Sequence, residues 1–357
     1  MSENFPAELL AHLPGLLVPW FLREKRDLEW RNDPTPYRVW ISEIMLQQTR
    51  VEAVKPYYDR FLSELPDVAS LASVDETRLL KLWEGLGYYR RVRNLQAAAK
   101  VIVREYGGVF PDDYDSVRSL PGIGDYTTGA ILSIAFGKPF PAVDGNVLRV
   151  ATRLAASRED IDAPKVRREL TSELATVYPE GRCSEFTQAL MELGATVCLP
   201  NGAPICTVCP LAGICLASRQ GLTDVIPVRK AKAARPVKEF AVVVLRDKAG
   251  RFAIRRRPET GLLAGLYEFP NLEGRPDGAA LKKAFHAREI RKAGTAGHVF
   301  THVEWFMSLY LAETDDPLPG FEWAALDALK KRTAIPSAFK AALALAFSTD
   351  PFPGDHP

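Results

Sequence analysis

The spacing of apolar residues changes about two thirds of the way along the chain. Up to about residue 220, apolar side chains recur every three or four positions, which is typical of the buried face of a helix. This spacing predicts helices over Tyr37–Arg50, Tyr89–Tyr106 and Tyr126–Phe136, and further helices beginning near Asp75, Asp115, Asp144, Pro164 and Ser184. The first part of the chain is therefore expected to be all-α.

After residue 239 the pattern alternates. The stretches EFAVVVLRD and RFAIRRR flank a turn at Asp247–Gly250 and predict a β-hairpin. GAALKKAFHAREI predicts a helix, and HVFTHVEWFMSLYL predicts further strands. The second part of the chain is therefore expected to be an α+β domain.

A basic segment separates the two patterns. Residues 225–238 read VIPVRKAKAARPVK, with two prolines and no acidic residue. We interpret residues 223–238 as a linker. The predicted domains are then a helical domain at 1–222 and an α+β domain at 239–357.

Composition narrows the class of protein. The chain has 357 residues, 47% hydrophobic and 25% charged, as in soluble globular proteins with room for two cores. No apolar run reaches the ~20 residues of a membrane helix, and Glu3, Glu8 and Pro14 do not fit a secretory signal. We therefore expect no membrane partner and an intracellular location. The net charge of +2 is only a weak indication of nucleic-acid binding.

Four of the five cysteines are clustered. Their spacing is Cys198-x7-Cys206-x2-Cys209-x5-Cys215, which suits zinc or a [4Fe–4S] cluster. Zinc sites more often contain two CxxC pairs, and here there is one, so the spacing favours the cluster. The alternative is four unrelated buried cysteines. The fifth, Cys183, is expected in the core.

Residues 120–128, LPGIGDYTT, lie between two predicted helices. Gly122 and Gly124 allow a tight turn that presents backbone N–H groups at a helix N-terminus, where a phosphate can bind. This favours a helix–hairpin–helix clamp on a DNA backbone. The alternative is an ordinary glycine turn between helices.

Two carboxylates stand in unusual surroundings. Glu43, in SEIMLQQTR, is surrounded by apolar residues, so burial would raise its pKa unless it points to solvent. Asp144, in AVDGNVLR, precedes a predicted helix and fits an N-cap, whose amides also favour an ionised carboxylate. One protonated and one ionised carboxylate form the pair that glycoside hydrolysis uses.

The motifs SEIMLQQTRV, WEGLGYYRRVRNL, LPGIGDYTTGAI, VDGNVLRV and the four cysteines, in this order, resemble the adenine DNA glycosylases of the MutY type. This family belongs to the helix–hairpin–helix glycosylase superfamily, and the resemblance spans residues ~20–215. GLLAGLYEFP and HVFTHVEW resemble the family's C-terminal Nudix-like domain. The resemblance implies a six-helix module at about 28–137, a [4Fe–4S] subdomain at about 1–27 and 138–222, and an α+β Nudix-like domain.

The resemblance also implies an activity. Such enzymes hydrolyse the N-glycosidic bond of adenine mispaired with 8-oxoguanine or guanine in double-stranded DNA, after flipping the base out of the duplex. Glu43 would protonate adenine, Asp144 would stabilise the sugar cation, and Tyr126 and Asn146 would support them. Endonuclease III has a lysine where this chain has Tyr126, so a monofunctional enzyme is implied. The alternatives are a bifunctional endonuclease III-like glycosylase–lyase and a non-catalytic DNA-binding module.

The resemblance assigns the remaining residues. DNA contacts are implied for Gln48, Thr49, Tyr88, Gly122, Gly124, Phe300, Thr301 and His302; the adenine pocket for Trp30, Arg31, Leu46 and Gln188; and the cluster ligands for Cys198, Cys206, Cys209 and Cys215. Tyr88 could instead be a core aromatic. Arg90, Arg91 and Arg93 fit either a solvated helix face or phosphate contacts. A monomer associated with the nucleoid in the cytoplasm is implied.

Some positions depart from the family pattern. The first two cluster cysteines are separated by seven residues instead of six, and the loop between them has no Lys or Arg. Thr301 replaces the usual serine of a Phe-Ser-His motif. The Nudix hydrolase signature is missing, so the second domain is expected to bind nucleotides and not to hydrolyse them.

Overall fold

A computed structural model describes residues 4–230, 234–331 and 333–348. The helices before residue 230 are α1 Ala7–Ala11, α2 Leu13–Glu24, α3 Glu29–Asn32, α4 Pro36–Leu46, α5 Val51–Glu64, α6 Val68–Ser73, α7 Glu76–Leu82, α8 Arg90–Tyr106, α9 Tyr114–Ser119, α10 Asp125–Ile134, α11 Gly145–Leu154, α12 Pro164–Ala175, α13 Cys183–Thr196 and α14 Leu216–Arg219, with a 3₁₀ turn at Cys206–Val208. In these described residues no helix is long and apolar enough to cross a membrane.

The later part of the chain is built on one mixed sheet. Its strands are β1 Val237–Asp247, β2 Phe252–Arg256, β3 Tyr267–Glu268, β4 Asn271–Glu273, β5 Glu289–Val299, β6 Glu304–Thr314 and β7 Glu322–Ala324. Its helices are α15 Gly278–Phe285, α16 Leu326–Lys331 and α17 Lys340–Phe347, with a 3₁₀ turn at Ser337–Phe339. The strand order is β3-β2-β1-β6-β5, and β1 runs parallel to β6 and antiparallel to β2.

The described residues divide into two compact units. Of the described residues, the first unit holds 4–73 with 93–230, and the second holds 74–92 with 234–331 and 333–348. The sequence pattern placed residues 74–92 in the helical domain, because α7 is an ordinary capped helix. The hydrogen-bond partners of this segment are distant in sequence. The backbone N–H of Ile335 donates to Glu84 (2.9 Å), and Lys81 Nζ donates to the Thr333 carbonyl (3.1 Å).

Each unit has its own core. In the first unit, α2, α11 and α13 bury a continuous apolar cluster that includes Leu17, Leu148 and Phe186. In the second unit, β1 is covered on both faces: Val242 and Val244 belong to one core, while Ala241, Val243 and Leu245 belong to another. Burial on both faces explains the uninterrupted apolar run in β1. The predicted fold class, a helical domain followed by an α+β domain, is confirmed.

Two predicted helices end earlier than expected. The helix predicted over Tyr37–Arg50 ends at Leu46, because Gln48 has a φ of 57° and interrupts the i to i−4 hydrogen bonds. The helix predicted over GAALKKAFHAREI ends at Phe285, where His286 takes a left-handed conformation, and Glu289 begins β5. Both predictions were wrong in the last turn, because a left-handed residue other than glycine leaves no clear sequence signal.

The segment predicted as a linker is structured at both ends. Ile226 is buried and its carbonyl accepts a hydrogen bond from Arg153 Nε (2.7 Å), while Val228 forms a bridge with Asp160. β1 already begins at Val237. Residues 231–233 of the segment lie outside the described residues.

Candidate active site

A cavity of about 600 Å³ in the first unit gathers many of the predicted site residues. Among the residues lining it are Trp30, Arg31, Glu43, Leu46, Gln48, Thr49, Tyr126, Asp144, Asn146 and Gln188. They come from α3, α4, α10, α11 and α13 and from the turn after α4. Residues spread over about 160 positions of the sequence therefore share one cavity, wide enough to take a purine base.

Glu43 lies inside α4 and is almost fully buried. The Tyr126 hydroxyl donates a hydrogen bond to Glu43 Oε2. Burial raises the pKa of Glu43 to about 7, and the nearby Asp144 charge adds to this, whereas the Tyr126 hydrogen bond and Arg31 oppose it. Burial raises the pKa of Tyr126 well above its ordinary value, so this hydroxyl remains a donor. Glu43 can therefore hold a proton close to neutral pH.

Asp144 is the N-cap of α11. Its Oδ1 accepts from the Val147 N–H (2.8 Å) and its Oδ2 accepts from Asn146 Nδ2 (2.7 Å). Burial raises the pKa of Asp144 above its ordinary value, while the Val147 and Asn146 hydrogen bonds and the Arg149 charge oppose that rise. The cap thus supplies donors that favour the ionised form, and Glu43 has no comparable set of donors among the hydrogen bonds described above.

Behind Asp144 lies a chain of contacts that the motifs did not indicate. Arg149 Nη2 donates to Asn146 Oδ1 (2.9 Å) and to the Gly194 carbonyl (2.7 Å), and its Nε donates to the Cys198 carbonyl (2.8 Å). Gly194 lets α13 approach closely, since a Cβ there would lie 2.6 Å from Asn146 Cβ. The sequence carried one signal for these contacts. VDGNVLRV places Arg149 among apolar residues, and a cation that is buried there requires partners.

A second group missed from the sequence forms another part of the cavity wall. Glu192 is 1% exposed and accepts hydrogen bonds from Arg26 and Arg31. These two hydrogen-bonded cations hold the pKa of Glu192 at about 2, against the effect of burial. The only sequence signal was a glutamate in the apolar stretch ALMELGA, which matches the setting of Glu43.

The predicted hairpin lies between α9 and α10. Gly122 has a φ of 77°, and a Cβ there would lie 2.5 Å from Asn94 Cβ, so glycine is required on two grounds. Gly124 is extended and forms the N-cap of α10. The turn therefore leads directly into the N-terminus of α10, a helix of ten residues. Neither glycine is among the residues that line the 600 Å³ cavity.

The predicted DNA-contacting residues Gln48 and Tyr88 are both strained. Gln48 follows α4 in the first unit, and Tyr88 precedes α8 in the second, with φ values of 57° and 48°. Left-handed residues other than glycine are often found at functional sites. Tyr88 is 50% exposed, so it is not a core aromatic.

Arg91 supports the loop that carries Tyr88. Its Nη2 donates to the carbonyls of Leu86 (3.1 Å) and Gly87 (3.3 Å), and its guanidinium lies over the Tyr88 and Trp83 rings. Burial lowers the pKa of Arg91 to about 10. Arg91 is thus part of the loop structure and not of a solvated helix face, whereas Arg90 is exposed.

The motif Phe300-Thr301-His302 forms the turn between β5 and β6 in the second unit. Phe300 packs against His298 and Trp305, with ring centroids 4.6 and 4.9 Å apart, and its N–H donates to the Val303 carbonyl. Thr301 and His302 are exposed at the tip. Phe300 therefore anchors the turn while its two polar neighbours face outward.

The four clustered cysteines line one small cavity of the first unit, with apolar walls that include Val150 and Leu193. Arg153 Nη1 lies 3.3 Å from Cys198 Sγ. In the described residues, no set of three or more His, Cys, Asp or Glu side chains is arranged to hold a single metal ion. Cys183 is buried elsewhere, with its thiol near the Pro179 carbonyl, as predicted for a core residue.

Comparison with known proteins agrees with this architecture. A family model described as HhH-GPD superfamily base excision DNA repair protein matches residues 41–175, and a NUDIX domain model matches residues 241–345. A thermostable thymine-DNA glycosylase superposes with a TM-score of 0.54 at 27% identity, covering 60% of this chain and 98% of that one. An endonuclease III in a DNA complex has a TM-score of 0.52 at 24% identity over 61% of this chain and shares the fold. The fold and the two-carboxylate cavity thus define a helix–hairpin–helix glycosylase of base excision repair.

Sequence relatives identify the family within this class. The adenine DNA glycosylase of Rattus norvegicus is 33% identical over 91% of this chain and 76% of its own length. The human adenine DNA glycosylase is 34% identical over 87% of this chain and 69% of its own length. A relative from Buchnera aphidicola is 33% identical over 73% of this chain. The chain belongs to the adenine DNA glycosylase family.

Proposed function

We propose that this enzyme removes adenine mispaired with 8-oxoguanine or guanine in double-stranded DNA by hydrolysing the N-glycosidic bond. The observation that carries the proposal is the pair of carboxylates in one cavity: Glu43, buried and bonded to Tyr126, and Asp144, half-buried and capping α11. The adenine must leave the duplex to reach them, and Trp30, Leu46 and Gln188 supply a wall for the flipped base.

Glu43 acts as the general acid. Its proton passes to adenine N7, the bond between C1′ and N9 breaks, and the bonding electron pair leaves with the base. Burial supplies the raised pKa that this step requires, and the Tyr126 hydroxyl orients the carboxyl group. Water then adds to C1′ and loses a proton to the Glu43 carboxylate, which restores the acid.

Asp144 stabilises the cationic sugar through its ionised carboxylate. The Val147 N–H and the Asn146 amide fix both oxygens, so the charge is held in place before the reaction. Tyr126 has no amine with which to form a Schiff base, so the enzyme leaves an abasic site without cutting the strand. This property separates it from the bifunctional alternative.

The cysteine cavity suits a [4Fe–4S] cluster. Cys198, Cys206, Cys209 and Cys215 all line it, and its apolar walls and the neighbouring Arg153 suit an anionic cluster held by thiolates. When bound, the cluster would cross-link the segment from 198 to 215 and would supply no reacting group. Purified protein should contain about four irons per chain; stoichiometric zinc without iron would contradict this assignment.

DNA binding involves both units. The turn at Gly122 and Gly124 leads into α10, whose N-terminus has no side-chain cap, so its first backbone amides can donate to a backbone phosphate. Gln48 and Tyr88 fill or wedge the base stack near the 8-oxoguanine, and Thr49 contacts that base. The exposed tip at Thr301 and His302 reads 8-oxoguanine, and the protein acts as a monomer in the compartment that holds the DNA.

A strand-cleavage assay tests the proposed function. A duplex with one adenine opposite 8-oxoguanine, labelled on the adenine strand, is incubated with enzyme and divided into samples with and without hot alkali. We expect breaks at the adenine only after alkali, and none in a duplex with thymine opposite the adenine. Breaks without alkali would favour the bifunctional enzyme, and no base release would favour a DNA-binding module.

A further inference from the structure

Glu192 is a buried carboxylate with an unusually complete set of donors. Its Oε1 accepts from the Arg26 N–H (3.0 Å) and from Arg26 Nε (2.8 Å). Its Oε2 accepts from Arg26 Nη2 (2.8 Å) and from Arg31 Nη2 (2.8 Å). A fork of this kind fixes two guanidinium groups against one carboxylate. Its side chain is 1% exposed, and it lines the same cavity as Glu43.

The same contacts immobilise Arg31. Its Nη1 donates to the Arg26 carbonyl (2.9 Å), its Nη2 donates to Glu192, and its guanidinium lies over the Phe21 ring at 5.2 Å. The side chain is 12% exposed. Arg31 is therefore held on three sides at the cavity wall, and Glu192 provides the only carboxylate among these contacts.

The charges that face Glu43 come from each neighbouring element. Tyr126 of α10 donates to it, Asp144 at the start of α11 disfavours its ionised form, and Arg31 of α3 favours that form. Three more charged residues line the cavity: Arg26, Arg167 of α12 and Glu192 of α13. Arg149 does not line it and lies behind Asp144. Arg26, Arg31 and Glu192 together carry a net charge of +1. Without the carboxylate the group would carry +2.

We propose that Glu192 is a positioning residue of the glycosylase reaction: it fixes Arg31 at the cavity wall and cancels one of two positive charges, so that Glu43 stays protonated at neutral pH. This inference rests on the function proposed above. It makes Glu192 more than a packing residue, because its removal changes the proton affinity of a different carboxyl group.

The test is the pH dependence of single-turnover adenine excision. The excision rate declines on the alkaline side as Glu43 loses its proton, and the pH at half of this decline is its midpoint. In Glu192→Gln the excess positive charge favours ionised Glu43, so we expect this midpoint to fall by roughly one pH unit. The matched control is Glu185→Gln, on the same helix and paired with Arg182. An unchanged midpoint in active Glu192→Gln would overturn the inference, whereas an inactive wild type on every adenine mispair would instead overturn the proposed function.

A double variant separates charge balance from damage to the fold. In Arg26→Gln with Glu192→Gln, Arg31 remains the one cation of the group, and we expect the midpoint to return toward that of the wild type. A purely structural role predicts a double variant as impaired as the single one. Should Glu192→Gln fail to fold, Arg26→Gln alone leaves a net charge of zero and should move the midpoint upward; no movement there would overturn the inference.

Discussion

The Tyr126 hydroxyl donates a hydrogen bond to the carboxylate of Glu43, 83 positions away in the sequence. α4 and α10 pack together, so the contact lies inside the first unit. The donated bond favours the ionised carboxylate, whereas burial favours the protonated one, and burial is the larger effect. The proton affinity of Glu43 therefore results from two opposing local causes that can be changed separately.

Replacing Tyr126 by Phe removes one of these causes. Without the donor, ionised Glu43 loses stabilisation, so its pKa should rise and the alkaline midpoint of adenine excision should move to higher pH. Tyr37→Phe is the control, because it removes another buried hydroxyl, whose partner is the Leu65 carbonyl, away from the cavity. A midpoint that moves downward would contradict the account.

Asp144→Asn tests the charge without removing the cap. Asparagine caps a helix about as well as aspartate, so the fold should survive. Excision from A:8-oxoguanine duplex should fall by at least ~100-fold, since the sugar cation loses its counter-charge, while binding of the same duplex should be retained. The matched control is Asp113→Asn, which changes the N-cap of α9. Near wild-type excision by Asp144→Asn would remove this residue from the mechanism.

Glu43→Gln should change how stability depends on pH. In the folded protein Glu43 keeps its proton up to about pH 7, while its ordinary pKa is 4.5. Between these values the unfolded chain releases a proton that the folded protein retains, so wild-type stability falls as the pH rises. The loss is at most about 3 kcal/mol. Urea unfolding at pH 5 and pH 8 should show this loss in the wild type and not in Glu43→Gln. An equal change in the free energy of unfolding in both proteins would refute it.

The turn between β5 and β6 should determine lesion preference. Thr301→Ala with His302→Ala removes the exposed polar groups and leaves the Phe300 anchor in place. We expect the preference for A:8-oxoguanine over A:G to narrow, with excision from A:G little changed. Lys248→Ala, in the turn after β1, is the control. Full discrimination by the folded double variant would place lesion reading in the first unit, at Gln48 and Thr49.

Local sequence indicated some parts of this molecule and not others. Glu43 and Asp144 were predictable because a carboxylate in an apolar run and an aspartate before a helix are both local signals. Glu192, Arg149 and Gly194 were missed because their roles depend on partners 45 or more positions away. The helix ends at Leu46 and Phe285 were missed because the left-handed residues that follow them, Gln48 and His286, are not glycines and leave no clear local signal. The grouping of residues 74–92 with the second unit depends on contacts such as Glu84 with Ile335, which no periodicity can show.

The proposed mechanism requires a protonated Glu43 and an ionised Asp144 to act together on adenine. Its most direct test is the pH profile of single-turnover adenine excision from an A:8-oxoguanine duplex by the wild-type enzyme, compared with Glu43→Gln. We expect a decline on the alkaline side with a midpoint near 7, where Glu43 loses its proton, and a loss of roughly 100-fold or more in the variant at pH values below that midpoint. A rate that is constant or rising through pH 7, or a variant that excises as fast as the wild type, would contradict it.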